Sequence, residues 1–300
     1  MIKDFLRYMA YEKRLSQHTI ISYENDLNKF SLYLQENAIE TPVHLVSPNE
    51  LRQWIIYLSE EEMAITSINR KIACLKSFFK FCLKRGTIEK DPTEKLKTLK
   101  KPKRVPKFIP EDQLNHFLDQ LSHLPEDFQG LRDRLILELL YGTGIRRAEL
   151  IELKSEQIDK KNYTVRVRGK GNKIRLIPLN STLRELIPRY EEQKLIEFSG
   201  NTCEFLIVTN SGKQSYPTFI YKKVKEYLEI FKTIDQKSPH ILRHTFATHL
   251  LNRGADLNAI KDLLGHSSLS ATQVYTHNSI GKLKDVFNQA HPKAEEDIHK

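Results

Sequence analysis

Cysteine is scarce in this chain: three in 300 residues, Cys74, Cys82 and Cys203, with no C-x-x-C spacing among them. That scarcity excludes a disulfide framework and a zinc knuckle, and it fits a reducing, cytoplasmic setting. No apolar stretch approaches the ~20 residues that a membrane span needs. Met1-Ile-Lys-Asp-Phe5 is charged within its first residues, so a soluble, unprocessed protein without membrane contact is expected. Repeats and low-complexity tracts are missing as well. Nor is there a Walker phosphate loop or a carboxylate cluster suited to Mg²⁺, so neither a metal nor another cofactor is expected.

What the chain has in excess is positive charge: a formal +10 at pH 7, with a pI near 9.3. A solvated basic surface would give the same totals. Clustering argues for a polyanion, because Lys95, Lys97, Lys100, Lys101, Lys103, Arg104 and Lys107 crowd one stretch as a phosphate-tracking segment would. The length suits two ordinary domains.

Apolar residues recur at helical spacing from Phe5 to Leu15, through Ile20, Tyr23, Leu27, Phe30 and Leu34, and from Leu51 to Leu58. Ser47-Pro48-Asn49-Glu50 combines an N-cap, a proline at the first helical position and a glutamate that reaches back, which predicts where the third helix starts. A fourth helix carries Ile68, Ile72, Leu75, Phe79 and Leu83 on one side, with Arg70, Lys71 and Lys76 elsewhere as candidate DNA contacts, and stops at Gly86. Residues 1–96 thus read as a four-helix domain and residues 111–300 as a second one. Between them, 97–110 holds three prolines and a basic excess, the mark of a connector; its Lys100, Lys101, Lys103 and Arg104 are further DNA-contact candidates.

In the second part, Leu131–Tyr141 predicts a helix ended by Gly142, and Arg146 then lies near the start of the next. Tyr163–Arg168 and Lys173–Leu179 alternate with period two around Gly169 and Gly171, predicting a β-hairpin with Lys170 in its loop. Cys203–Thr209 reads either as a third strand or as a buried helical turn. Ser238-Pro239 repeats the cap-plus-proline arrangement and sets His240 and Arg243 in the first turn of a helix. Three residues apart, they share a face at the positive end of the helix dipole.

Arg146, His240, Arg243, His266 and Tyr275 together hold two guanidiniums, two imidazoles and a phenol. Guanidinium forks grip phosphate oxygens in pairs, and a phenol oxygen can attack a phosphorus centre so neutralised. Each has a plainer reading alone: H-x-x-R as a surface pair, a hairpin lysine as a turn charge, His266 as a dipole partner past a glycine cap, Tyr275 as half-buried packing. Thr245–Leu264, with Gly254 at the bend, also reads as a helix-turn-helix of a non-enzymatic regulator.

The stretches Gly142-Thr-Gly-Ile-Arg146-Arg-Ala-Glu149, Gly169-Lys170-Gly171, His240-Ile-Leu-Arg243-His244-Thr-Phe-Ala-Thr-His249, Leu264-Gly265-His266 and Tyr275-Thr-His277 resemble the tyrosine recombinase (integrase) family, most closely its Xer-type site-specific members. The resemblance implies a mainly α fold with a small β-sheet: an N-terminal four-helix core-binding (SAM-like) domain, and a helical catalytic domain with a hairpin or three-stranded sheet. It also implies roles: Tyr275 as nucleophile, Arg146 and Arg243 as phosphate clamps, His240 and His266 beside them, Lys170 as proton donor to the leaving 5′ oxygen, and Glu149 as a brace. The G-x-R-x-x-E pattern selects Arg146 over Arg147, which is left as a solvated charge, and Gly-Lys-Gly selects Lys170 over Lys173. The implied partner is double-stranded DNA, bound by a homo- or hetero-tetramer on two sites, with a second Xer-type recombinase and a DNA translocase as candidate partners. The segment after Gly281, with Leu283, Val286 and Phe287, is expected to dock on a neighbouring protomer. Chromosome dimer resolution and service to a mobile element are the two roles the resemblance leaves open.

Overall fold

The computed structural model describes residues 1–100, 107–169, 173–200, 203–232, 234–235, 237–265, 287 and 290. The chain divides into two compact units, Met1–Val105 and Pro106–Lys300. It is mainly helical, and no helix among the described residues is long and apolar enough to cross a membrane.

The first unit is built from α1 (Ile2–Tyr11), α2 (Gln17–Glu36), α3 (Pro48–Glu60) and α4 (Ile65–Lys84). Their apolar stripes meet in a core rich in rings, where Phe5 packs edge-on to Phe78 and Phe30 lies against Trp54. The capping box at Ser47 forms as the sequence predicts: the Glu50 amide donates to the Ser47 hydroxyl, and the Ser47 amide donates to the Glu50 carboxylate. Helix α4 gives way to Gly86 at φ +68°, a left-handed turn that favours glycine. Beyond it, Asn69 holds both the amide and the carbonyl of Leu99, so the first residues of the basic stretch pack on this unit.

One expectation about the fourth helix is corrected. Lys71 is not an open phosphate contact: it is 2% exposed, and its ammonium is 2.6 Å from the Asp26 carboxylate. A charge buried this deeply is tolerated because it is paired, and the pairing takes it away from DNA. Arg70 donates to the same carboxylate at 2.6 Å but keeps a 44% exposed side chain.

The second unit contains α5 (Glu111–Gln120), α6 (Phe128–Gly142), α7 (Arg147–Ile151), β1 (Ile158–Asp159), β2 (Thr164–Arg168), β3 (Ile174–Pro178), α8 (Ser181–Glu197), α9 (Pro217–Leu228), α10 (Pro239–Asn252) and α11 (Leu257–Leu264). Helix α6 is buried along nearly its whole length, because α8, α9 and α10 pack around it. The expected antiparallel hairpin β2–β3 forms, pairing Val165 with Ile177 and Val167 with Arg175. The third strand is β1, paired with β2, and not the 203–209 run. That run makes only isolated bridges, Lys154 with Phe205 and Val208 with Gln214, while its Leu206, Ile207 and Val208 are buried in the core. Phe287 and Ala290 join the same core, so Phe287 is packed within its own chain and is not offered to a neighbour. Leu283 and Val286 lie outside the described residues.

Candidate active site

The turn between α6 and α7 carries the first arginine. Thr143 caps the end of α6, its hydroxyl donating to the Leu139 carbonyl, and Gly144 follows at φ +59°. A Cβ at Gly144 would stand 2.5 Å from a ring carbon of Phe246, so this position excludes a side chain on two grounds. The turn delivers Arg146 to the N-cap position of α7. There its backbone amide donates to Glu149 Oε2 and its Nη1 to Glu149 Oε1, each at 2.8 Å.

Arg243 arrives from α10. Pro239 occupies the first turn as predicted, but the Ser238 side chain makes no capping hydrogen bond, and its carbonyl accepts from the Ile241 amide instead. The Arg243 guanidinium is buried and donates through Nη1 to the Gly144 carbonyl and through Nη2 to the Leu264 carbonyl, the latter at 2.6 Å. Burial first, and then the charges of Arg146 and Arg175, push it down to about 10, so it stays cationic at neutral pH.

Both arginines close on the end of α11. Gly265, at φ +63°, terminates that helix in the left-handed conformation, as the Leu-Leu-Gly-His pattern predicts. Arg146 Nη2 donates to the Gly265 carbonyl at 3.1 Å, next along the backbone from the Leu264 carbonyl that Arg243 holds. Residues separated by about a hundred positions thus converge on two consecutive peptide groups, immediately before His266.

Glu149 is the carboxylate at the centre. Burial alone would raise its carboxyl, but the hydrogen bonds and charge of Arg175, joined by those of Arg146, hold it below the usual carboxylate range. Arg175 carries no role in the sequence reading, yet it binds both Glu149 oxygens, Nη1 at 2.9 Å and Nη2 at 2.8 Å. A signal was available: on a period-two strand Arg175 shares its face with Ile177 and Leu179, so the pattern turns it towards the core. Arg147, expected to be a solvated charge, is partly exposed, with its Nη1 3.5 Å from the Pro217 carbonyl.

His240 stands in the first turn of α10, open to solvent on one side. The protein around its other side, followed by the charges of Arg147, Arg243 and Arg146, holds its imidazole below the ordinary value, so it is neutral at pH 7 and able to accept a proton. His249, nine residues on, is a structural group. Its buried ring lies between the Tyr141 hydroxyl, 3.0 Å from Nδ1, and the Ile109 carbonyl, 2.9 Å from Nε2. Ile109 also donates its amide to Thr245 Oγ1, which anchors the incoming chain to α10.

The structure therefore brings together Arg146, Glu149, Arg243 and His240, and it adds Arg175. Lys170, His266 and Tyr275 lie outside the described residues, as do Lys101, Lys103 and Arg104. Lys76 is partly exposed on α4 and Lys100 is exposed. Among the described residues no three His, Cys, Asp or Glu side chains gather as metal ligands would. Helices α10 and α11 do form a helix–turn–helix about Gly254, at φ +83°. Arginine side chains from three elements bind the end of its second helix.

Comparison with known proteins fits both units. Residues 107–281 match the model of the phage integrase family, and residues 2–86 match that of the phage integrase N-terminal SAM-like domain. The chain is 38% identical to tyrosine recombinase XerC of Syntrophus aciditrophicus (strain SB), over 98% of each protein. It is 36% identical to tyrosine recombinase XerD of Staphylococcus haemolyticus (strain JCSC1435), over 98% of this chain and 99% of that one. Among solved structures, the XerH site-specific recombinase bound to a palindromic difH substrate superposes with a TM-score of 0.70 at 20% identity, covering 95% of this chain and 93% of that one. The Tn1549 transposon integrase in complex with circular intermediate DNA superposes with a TM-score of 0.69 at 21% identity, covering 94% and 97%.

Proposed function

The chain belongs to the phage integrase family, the tyrosine recombinases that cleave and rejoin DNA, and from that premise we propose that it does so through a 3′-phosphotyrosyl intermediate formed by Tyr275. The observation that carries the reading is the convergence of Arg146 and Arg243 on consecutive carbonyls just before His266. Two guanidiniums held this way form a preorganised cationic cradle. Arg146, with a 32% exposed side chain, is the arginine of the pair that a scissile phosphate could reach.

The steps balance without an energy source. Tyr275 Oη attacks the phosphorus in line and gives up its proton to a base, for which neutral His240 is the candidate. The O5′–P bond breaks, and Lys170 protonates the departing 5′ oxygen. Arg146, Arg243 and His266 hydrogen-bond the non-bridging oxygens of the pentacoordinate transition state. The 5′ hydroxyl of a second strand then attacks the phosphotyrosine and releases Tyr275, so one phosphoester has replaced another. Loss of either arginine should cost on the order of 10²–10³ in cleavage rate, the typical effect of removing one transition-state donor.

At the level of biology, whole-length likeness to proteins named XerC and XerD supports resolution of chromosome dimers over service to a mobile element. In this reading the chain acts on double-stranded DNA as part of a tetramer on two sites, with or without a second recombinase, and a DNA translocase is the candidate activator. The test is to trap the covalent adduct under denaturing conditions and map it on genomic DNA. Tyr275→Phe is expected to abolish the adduct, and the adducts of the unaltered protein should collect at one chromosomal site. An adduct that survives Tyr275→Phe overturns the mechanism. Adducts confined to the ends of an inserted element overturn the dimer-resolution role.

A further inference from the structure

We infer that Arg175 is a positioning residue for DNA cleavage: from strand β3 it holds Glu149 and the end of helix α11 in one arrangement, and thereby aims Arg146 and sets the backbone that leads to His266. The inference rests on the activity proposed above.

The starting point is a charge where the strand pattern calls for an apolar residue. Arg175 is 4% exposed, opposite Val167 in the hairpin, and such a guanidinium is tolerated only when its donors are paired. Its fork takes both oxygens of Glu149, and its Nε donates to the Leu263 carbonyl at 2.7 Å.

What lies on the far side of each partner turns this from packing into positioning. Glu149 uses the same two oxygens to hold Arg146, Oε1 accepting from Nη1 and Oε2 from the backbone amide. The carboxylate is thus clamped from the buried side by Arg175 while it directs the half-open Arg146 from the other. The Leu263 carbonyl is the first of three in succession: Arg175 holds Leu263, Arg243 holds Leu264 and Arg146 holds Gly265. These belong to the last turn of α11, where carbonyls lack helical partners and the dipole is negative, so three cations from three elements bind one short segment. The next residue in sequence is His266.

Glycines flank the joint on two sides, and Gly265 fits the more tightly. A Cβ on Gly265 would come within 3.2 Å of Arg175 Cδ and Nη1. A Cβ on Gly169, at the base of the hairpin loop that carries Lys170, would lie 3.4 Å from both Arg175 Nη1 and Glu149 Oε1. One side chain therefore ties the hairpin, the Arg146 turn and the approach to His266, and those three segments carry three of the proposed participants.

The test uses the full-length protein and a duplex containing the site recovered by adduct mapping. Site affinity, melting temperature and single-turnover adduct formation are measured for the unaltered protein, Arg175→Lys and Arg175→Met. Lysine keeps the charge without the fork. Methionine fills the space without the charge and leaves the buried Glu149 carboxylate to Arg146 alone, so its melting temperature should fall, and cleavage is read at a temperature where the variant is folded. Both are expected to bind the site within about threefold of the unaltered protein and to cleave about 10²-fold more slowly, the scale of an ångström-sized misplacement. Combined with Glu149→Gln, the Arg175→Lys loss should not multiply, since both act through one carboxylate. If the unaltered protein forms no denaturant-resistant adduct, the activity reading fails and this one with it. If that protein cleaves, and either folded Arg175 variant cleaves at its rate or loses rate only in step with affinity, the positioning role alone is overturned. Multiplying losses in the double variant overturn it too.

Discussion

Replacing Glu149 with glutamine removes the negative charge at the centre of three arginines, and its cost can be worked from burial. Arg175 has a 4% exposed side chain and Glu149 a 7% exposed one, whereas Arg146 is 32% exposed and can turn to water. The penalty therefore comes mainly from stranding Arg175, and breaking a buried pair from one side costs about 3–5 kcal/mol. In a unit the size of Pro106–Lys300, each kcal/mol shifts Tm by roughly 2–4 °C, so a drop of about 6–20 °C is expected in calorimetry. Acid should shrink the difference. The Glu149 carboxyl is depressed in the folded state, so below its unfolded value of about 4.3 the unfolded chain binds the extra proton. The stability it contributes is complete above that value and is lost as pH falls through the lower folded value. The Tm gap between the unaltered protein and Glu149→Gln should thus be constant from pH 7 to about pH 5 and narrow on further acidification. A gap under about 2 °C at neutral pH, or one that does not change down to pH 3, refutes the reasoning. Replacing Glu149 and Arg175 together by leucine and methionine should recover much of the loss, because the buried Arg175 is then no longer stranded and Arg146 can turn to water.

Gly144→Ala must strain a left-handed residue and push its Cβ against Phe246 and Leu264; urea unfolding should show a loss of about 2–5 kcal/mol, and less than about 1 would contradict the geometry. With the imidazole of His240 held low, the acid limb of cleavage should lie below the ordinary histidine value of about 6.5 and vanish in His240→Gln; a limb above that value rules out His240 as the base. Lys71→Met leaves Asp26 buried with only Arg70, so the N-terminal unit should lose about 3–5 kcal/mol while the salt slope of DNA binding stays unchanged. A slope reduced by about one would mean that Lys71 meets a phosphate after all.

Local signals set a large share of this molecule. Apolar spacing located α1–α4 and α6 to within a few residues, the Ser47 box and Gly265 marked helix ends, and period-two alternation placed β2 and β3. These are short-range effects, decided by capping, backbone φ and side-chain periodicity within one turn or strand, and a sequence carries them openly. The arginine pair was legible for a related reason: its chemistry belongs to the residue type, and the flanking motif is local.

What the tertiary structure decided was the fate of charge. Nothing in the neighbourhood of Lys71 tells that Asp26, 45 positions away, will bury it, and nothing beside Arg175 tells that Glu149 and the Leu263 carbonyl will receive it. Local pattern can turn a lysine or arginine inward, as it does Arg175, but it does not name the partner that receives it. What decides is the desolvation cost and the partner that offsets it, and that partner is brought by another element. The 203–209 run stayed ambiguous for the same reason, since Leu206-Ile-Val208 is apolar enough for a strand or a buried turn, and β1 took the place beside β2. The sequence thus determined the elements and the chemical repertoire, while folding determined which cations remain free to act, because only long-range packing settles where water is excluded.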